Sequence, residues 1–102
     1  MARRSDFRDS FVVDGTAEDW LVKAEGAMQQ QGFKDIETSP ARSRVAGNFR
    51  NLTVAGDLMV RVTAEGEGKA RVALTATGKR DNVWAAFRNP AQKIAEEFRA
   101  GL

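Results

Sequence analysis

The sequence predicts an α+β fold of order β-α-β-β-β-β-α, an antiparallel sheet with two helices packed on one face. Three observations carry this. Residues 58–77 alternate apolar and polar side chains with a period of two on either side of a Gly-rich turn. Two stretches, from Trp20 to Met28 and from Val83 to Leu102, repeat apolar residues at helical spacing. Turn residues separate these stretches, and one layer of helices on a sheet is the economical way to bury both kinds of face.

The first strand spans Phe7 to Val13 and closes at Asp14-Gly15. Phe7, Phe11 and Val13 share one parity, which Asp9 interrupts. Thr16 is a good helix N-cap, and Glu18 and Asp19 suit the positive end of the helix dipole. Trp20, Leu21, Ala24, Ala27 and Met28 form the apolar stripe of this helix, and Gly32 stands where a left-handed C-cap belongs. Phe33 to Thr38 reads as a short strand in which Phe33 and Ile36 do not share parity. Ser39-Pro40 marks a turn. Ala41 to Phe49 is the third strand, with Val45, Gly47 and Phe49 on one face. Between Arg50 and Asp57 two readings stand: a loop, or a tight Arg50-Asn51 hairpin that starts the next strand at Leu52.

The central hairpin follows from parity. Val62 must lie opposite Val72 for both to face one core. That sets Ala64 opposite Ala70 and Glu65 opposite Lys69, around a Gly66-Glu67-Gly68 loop with Gly68 in the left-handed region. Glu65 and Glu67 flank the glycines and no helix follows, so this Gly-x-Gly is a turn and not a phosphate cradle. Asp81 can cap the last helix, whose stripe runs through Val83, Trp84, Phe87, Ala91, Ile94, Ala95, Phe98 and Leu102. Pro90 interrupts it, so the stretch is either kinked or two nearly collinear helices, the second capped by Asn89. The expected inner face of the sheet is Phe7, Phe11, Phe49, Leu58, Val60, Val62, Val72 and Leu74.

With 102 residues and 42% hydrophobic content, residues 1–102 are expected to form a single domain, with residues 1–5 disordered ahead of it. No apolar run is long enough to span a membrane and none follows the basic N-terminus, so no membrane partner and a cytoplasmic location are expected. Cys, His and Tyr are absent. Disulfides, thiolate zinc sites, cysteine nucleophiles and Ser-His-Asp triads are thereby excluded. Carboxylate pairs, a buried lysine or an oxygen-ligated metal remain, without a recognisable arrangement. The sequence-based expectation is a protein that is not an enzyme and holds no cofactor or metal.

The order of elements is similar to that of TATA-binding-protein-like folds. It also resembles small bacterial proteins built from a strand, a helix ending near Gly-Phe, a run of hairpins and a C-terminal helix. The matching landmarks are Gly32-Phe33, the alternating hairpin strands and Asn89 through Phe98. This resemblance implies a topology and no functional residue. The helix-grip fold of lipid-binding and cyclase proteins is a second comparison, set behind the first because the chain is short for a strand set that encloses a cavity.

Three functional expectations follow. The first is a non-catalytic binding or protein-interaction module, with a homodimer formed through the bare sheet face. The second is nucleic-acid or other anion binding. Residues 41–80 carry eight basic and three acidic groups, and the outward parity set includes Arg8, Arg44, Arg61 and Arg71 beside Ser10, Thr63 and Thr75. The third is a small apolar-ligand carrier of helix-grip type with a pocket between helices and sheet. Ala24, Ala64, Ala70, Ala76, Ala91 and Ala95 either leave space there or, the preferred reading, let helix and sheet approach closely.

Overall fold

In the computed structural model the chain forms strands β1 (Arg3–Asp14), β2 (Lys34–Ser39), β3 (Arg44–Arg50), β4 (Ala55–Gly66) and β5 (Lys69–Arg80). Helix α1 spans Ala17–Gln30 and α2 spans Pro90–Ala100. The structure describes the backbone of residues 3–50, 55–80 and 90–102, and the side chains of residues 6–50, 55–78 and 91–102. The proposed Asp81 cap, Trp84, Phe87 and the Leu52 strand start lie outside the described residues.

All five strands join one antiparallel sheet in the order β1-β5-β4-β3-β2. Its inner face carries both helices: α2 lies over β5, β4 and β1, and α1 over β4, β3, β2 and β5. Period-two alternation explains the register. Val62 faces Val72 and Ala64 faces Ala70, as parity demands. The last rung differs from expectation, because Gly66 and not Glu65 sits opposite Lys69. Glu65 is the extra residue of a bulge that precedes the Glu67–Gly68 turn, where Gly68 has φ +73°.

Strand β1 begins at Arg3 rather than Phe7, so Arg3–Ser5 are strand backbone. Strand β3 starts late, because Pro40–Arg42 form a 3-10 turn and Ser43 adopts φ +52°. Strand β4 begins at Ala55, and Gly56 and Asp57 pair in unbroken register with Phe49 and Asn48.

The parity conflict in β2 has a physical resolution. Asp35 adopts φ +52° at a register break between Lys34 and Glu37. One residue is thus inserted, and Phe33 and Ile36 both turn toward the core. An aspartate tolerates this conformation better than most residues, and its Oδ2 accepts a 3.1 Å hydrogen bond from Asn48 Nδ2. Helix α1 starts as its cap predicts, with Thr16 Oγ1 accepting from the Asp19 N–H at 3.1 Å. It ends with Gly32 at φ +80° and Phe33 N–H donating to the Met28 carbonyl at 2.9 Å.

Asp9, which breaks the apolar row of β1, faces the helix layer opposite Leu74. Its Oδ2 accepts from Arg99 Nη1 of α2 at 2.9 Å, and that guanidinium lies 4.7 Å from the Phe11 ring centre. The charge on the inner face is thus paired at the margin of the core and helps seat α2 on β1.

The core is made by Leu58, Val60, Val62, Val72 and Leu74 of the hairpin, Val45 of β3, Met28 of α1, and Ile94 and Phe98 of α2, each at most 1% exposed. Small residues let α2 lie close to the sheet. A Cβ on Gly56 would collide with the Thr77 carbonyl oxygen and come within 2.7 Å of Ile94 Cδ1.

Two variants test this packing. Phe98→Ala removes a fully buried ring and is expected to cost about 3–5 kcal/mol of unfolding free energy in denaturant titration. Gly56→Ala adds one methyl group in the sheet layer and is expected to lower the melting temperature by several degrees or more. A melting temperature within error of the parent for Gly56→Ala would show that β4 does not approach the β5 backbone and Ile94 of α2 this closely.

Candidate ligand surfaces

Two surfaces are built from polar side chains with work to do. The first is the open face of the sheet, turned away from both helices. Register places its side chains on a grid. One row runs Ser10, Ala73, Arg61, Arg44 across β1, β5, β4 and β3; the next runs Arg8, Thr75, Met59, Ala46. A third row, Asp6, Thr77, Asp57, Asn48, carries negative charge.

All four arginines expected on the outward parity set lie on this face. Their environments differ. Arg71 is clamped by Glu65: Nε donates to Oε2 at 3.0 Å and Nη2 to Oε1 at 2.9 Å, while Nη1 donates to Ser10 Oγ at 3.3 Å. Glu65 reaches it from the bulge. This fork holds the Glu65 carboxyl below its ordinary range and raises Arg71 further. Arg44 and Arg61 face each other directly across β3 and β4. Arg44 Nη1 lies 3.9 Å from Met59 Sδ. Among the described residues, no carboxylate forms an ion pair with Arg8, Arg44 or Arg61. Ala73 leaves the centre of the face hollow. One depression of about 180 Å³ is lined by Met59, Arg61, Ala73 and Thr75, and an adjoining one by Arg8, Ser10, Ala73 and Thr75 among others.

The second surface is a groove of about 370 Å³ between α1 and the segment from β2 to Ser43. Ala17, Leu21, Val22 and Pro40 give it apolar walls, and Glu18 and Glu25 stand on its helix side. Val22 is 69% exposed although it is a large aliphatic side chain. Thr38 lines the same groove, and its Oγ1 is buried without a hydrogen-bond partner among the described residues. Sequence reasoning missed this site. Val22 falls off the core stripe of α1, and the inward turn of Thr38 depends on the bulge at Asp35, which has no local sequence signature. The small residues beneath the helices allow close approach rather than leaving space, as preferred from the sequence: Ala24, Ala70, Ala76, Ala91 and Ala95 are at most 1% exposed and pack helix against sheet, whereas Ala64 is exposed.

Among the described residues no three carboxylates stand close enough to share a metal ion, and no helix is long and apolar enough to cross a membrane.

No protein-family model matches the chain, and no curated protein matches it in sequence. Solved structures do match in fold. The chain is similar to the di-domain aromatase/cyclase BexL of the BE-7585A biosynthetic pathway, with TM-score 0.66 and 15% identity over 95% of its length. It spans 44% of that longer chain. It is similar to norcoclaurine synthase from Thalictrum flavum, solved with dopamine and hydroxybenzaldehyde, with TM-score 0.66 and 7% identity, covering 98% of this chain and 84% of that one. A START superfamily protein from Mycobacterium smegmatis gives TM-score 0.63 and 9% identity, covering 95% and 93%.

These likenesses correct two expectations. The fold neighbours are of the helix-grip, START-like kind and not specifically TATA-binding-protein-like, and shortness is no bar, since the chain covers 93% of the START superfamily protein. The expectation that the chain is not an enzyme is also overturned, because this fold is shared by a synthase and an aromatase/cyclase. Missing His, Cys and Tyr removes particular mechanisms. It leaves substrate orientation and carboxylate or lysine acid–base chemistry untouched.

The Glu65–Arg71 fork gives a pH test. A carboxyl whose folded pKa is depressed adds stability above its unfolded pKa and loses it as pH falls through the folded value. The melting temperature of the parent is expected to exceed that of Glu65→Gln at neutral pH, with the gap closing on acidification to about pH 3. A gap that stays constant over this range would mean the charge on Glu65 adds nothing.

Proposed function

We propose that this chain is a small-molecule-binding domain of the helix-grip type, taking a largely apolar ligand with a basic group in the groove beside α1. The observation that carries this reading is the buried, unpartnered Thr38 Oγ1 on the groove wall. A hydroxyl buried without a partner costs roughly 1–3 kcal/mol. A ligand donor or acceptor reaching Thr38 would recover it.

The walls define the ligand. Leu21, Val22, Ala17 and Pro40 suit an aromatic or branched aliphatic body. Glu18 and Glu25 have no cationic partner among the described residues and favour an ammonium group over a carboxylate. The volume fits a compact molecule of the size class that such sites take. The fold supports the reading by likeness: norcoclaurine synthase, similar to this chain over nearly its whole length, was solved with an aromatic amine and an aromatic aldehyde.

Ligand-observed NMR with matched arylalkyl amines, neutral analogues and arylalkyl carboxylates tests this directly. The expected order of binding is amine, then neutral, then carboxylate. Ala17→Leu should fill the groove and weaken the amine by about tenfold or more. Thr38→Val should raise thermal stability, by about 1 kcal/mol, while weakening the ligand. Equal binding of all three classes, or amine binding indifferent to both substitutions, would remove the groove as the site.

A further inference from the structure

The open sheet face carries a feature that the groove reading does not use. Arg44 and Arg61 lie directly opposite each other on adjacent strands. Like charges at such positions repel and destabilise a sheet pair. Sheets commonly relieve this with a carboxylate on a neighbouring strand. Here Glu65 is already committed to Arg71 through two hydrogen bonds. Asp57, the acid on the other side of Arg61, is four residues away along β4, roughly 13 Å. Glu37, diagonal to Arg44 on β2, forms no ion pair with it. The pair therefore stands without a counter-ion among the described residues.

Beside it the surface is hollow. Ala73 of β5, directly opposite Arg61 of β4 and Ser10 of β1, has no side chain beyond Cβ. The two adjoining depressions share Ala73 and Thr75 as floor, one walled by Arg61 on the β4 side and the other by Arg8 on the β1 side. Arg8 and Arg61 are on strands two spacings apart, about 9.6 Å, and offset by one rung. Two extended guanidinium groups can reach across such a gap to one tetrahedral anion. Ser10 and Thr75 bring hydroxyl groups to the same depression.

We propose that this hollow binds the phosphate group of a small phosphomonoester, held between Arg8 and Arg61 with Arg44 behind, and with the ligand body over Met59 and Ala46. Met59 is 38% exposed and lies beside Arg61 on the hollow's wall. A compact ligand fits better than a nucleic acid, for two reasons. The row Asp6, Thr77, Asp57, Asn48 sets carboxylates one rung beyond Arg8, and Asp35 and Glu37 continue the acidic margin on β2. Glu37 stands opposite Ala46, at the far end of the Arg8 row, so the phosphate lies at the Arg8–Arg61 end and the ester body points toward Glu37. Such a margin repels an extended polyanion. The described side chains of the central three strands also place no aromatic ring on this face for base stacking.

The test is calorimetric titration of the full chain with inorganic phosphate, pyrophosphate, a sugar phosphomonoester and a single-stranded oligonucleotide, at low and moderate salt. The sugar phosphomonoester should bind at least as tightly as inorganic phosphate. Arg61→Gln should weaken it by roughly tenfold or more, as losing one charge-assisted hydrogen bond does. Arg42→Gln, which removes the same charge from the 3-10 turn, should leave it unchanged. Arg61→Gln should also melt no lower than the parent at low salt, because it relieves the facing pair, so lost binding would not be lost folding. Equal weakening by both substitutions would reduce the effect to net charge and overturn the site. So would an oligonucleotide that binds far more tightly than any phosphomonoester, or no binding of any phosphate compound at low salt. The groove beside α1 is on the other face of the sheet, so its arylalkyl amine titration reads out independently.

Discussion

The close approach of α2 to the β4–β5 hairpin is the contact on which the rest of this structure depends. It works because bulk is absent where the two layers meet. Gly56, Ala70, Ala76, Ala91 and Ala95 bring backbone near backbone, while Phe98, Ile94, Leu58 and Leu74 fill the spaces between. Burying a side chain such as Phe98 or Ile94 contributes about 1.5–3 kcal/mol. In a domain of this size such a handful of side chains is a large share of net stability. The helix also settles which face of the sheet stays open. With the inner face filled, the open face is free to carry arginines that a core could not hold.

The parts of the fold legible in the sequence are those where one period governs a long run. The β4–β5 hairpin and its Val62–Val72 register follow from strict alternation, and α1 follows from its stripe, its Thr16 cap and Gly32. What was not legible depends on contacts distant in the chain or on irregular backbone. Asp9 reads as a flaw in β1 until Arg99, ninety residues later, is placed beside it. Phe33 and Ile36 conflict until Asp35 takes a left-handed conformation. The 3-10 turn Pro40–Arg42 delays the start of β3 from Ala41 to Arg44 relative to the alternation.

The candidate sites divide in the same way. Parity alone placed Arg8, Arg44, Arg61 and Arg71 on one face. It could not distinguish them, because the clamp that satisfies Arg71 relies on the bulge at Glu65. The groove beside α1 was invisible for a related reason, since its Thr38 wall exists only because β2 changes parity midway. The expectation of no catalysis failed differently. It reasoned from residue types, whereas the fold neighbours show that this architecture carries enzymes whose chemistry a tally of missing side chains does not rule out.

The edge strand β1 has a consequence of another kind. Gly15 N–H donates to the Gly68 carbonyl, so odd-numbered residues of β1 bond to β5 and even-numbered ones turn their backbone groups outward. Two of those outward groups are taken by the chain itself. Ser10 N–H donates to Asp9 Oδ1 at 2.9 Å, and the Asp14 carbonyl accepts from Trp20 Nε1 at 2.7 Å. A foreign strand adding to this edge would meet both interruptions within five residues. Templated growth of the sheet, the first step toward amyloid, is thereby discouraged along the half of β1 that lies nearest α1. Asp9 does this while its other oxygen holds α2, so one carboxylate both docks a helix and guards against aggregation.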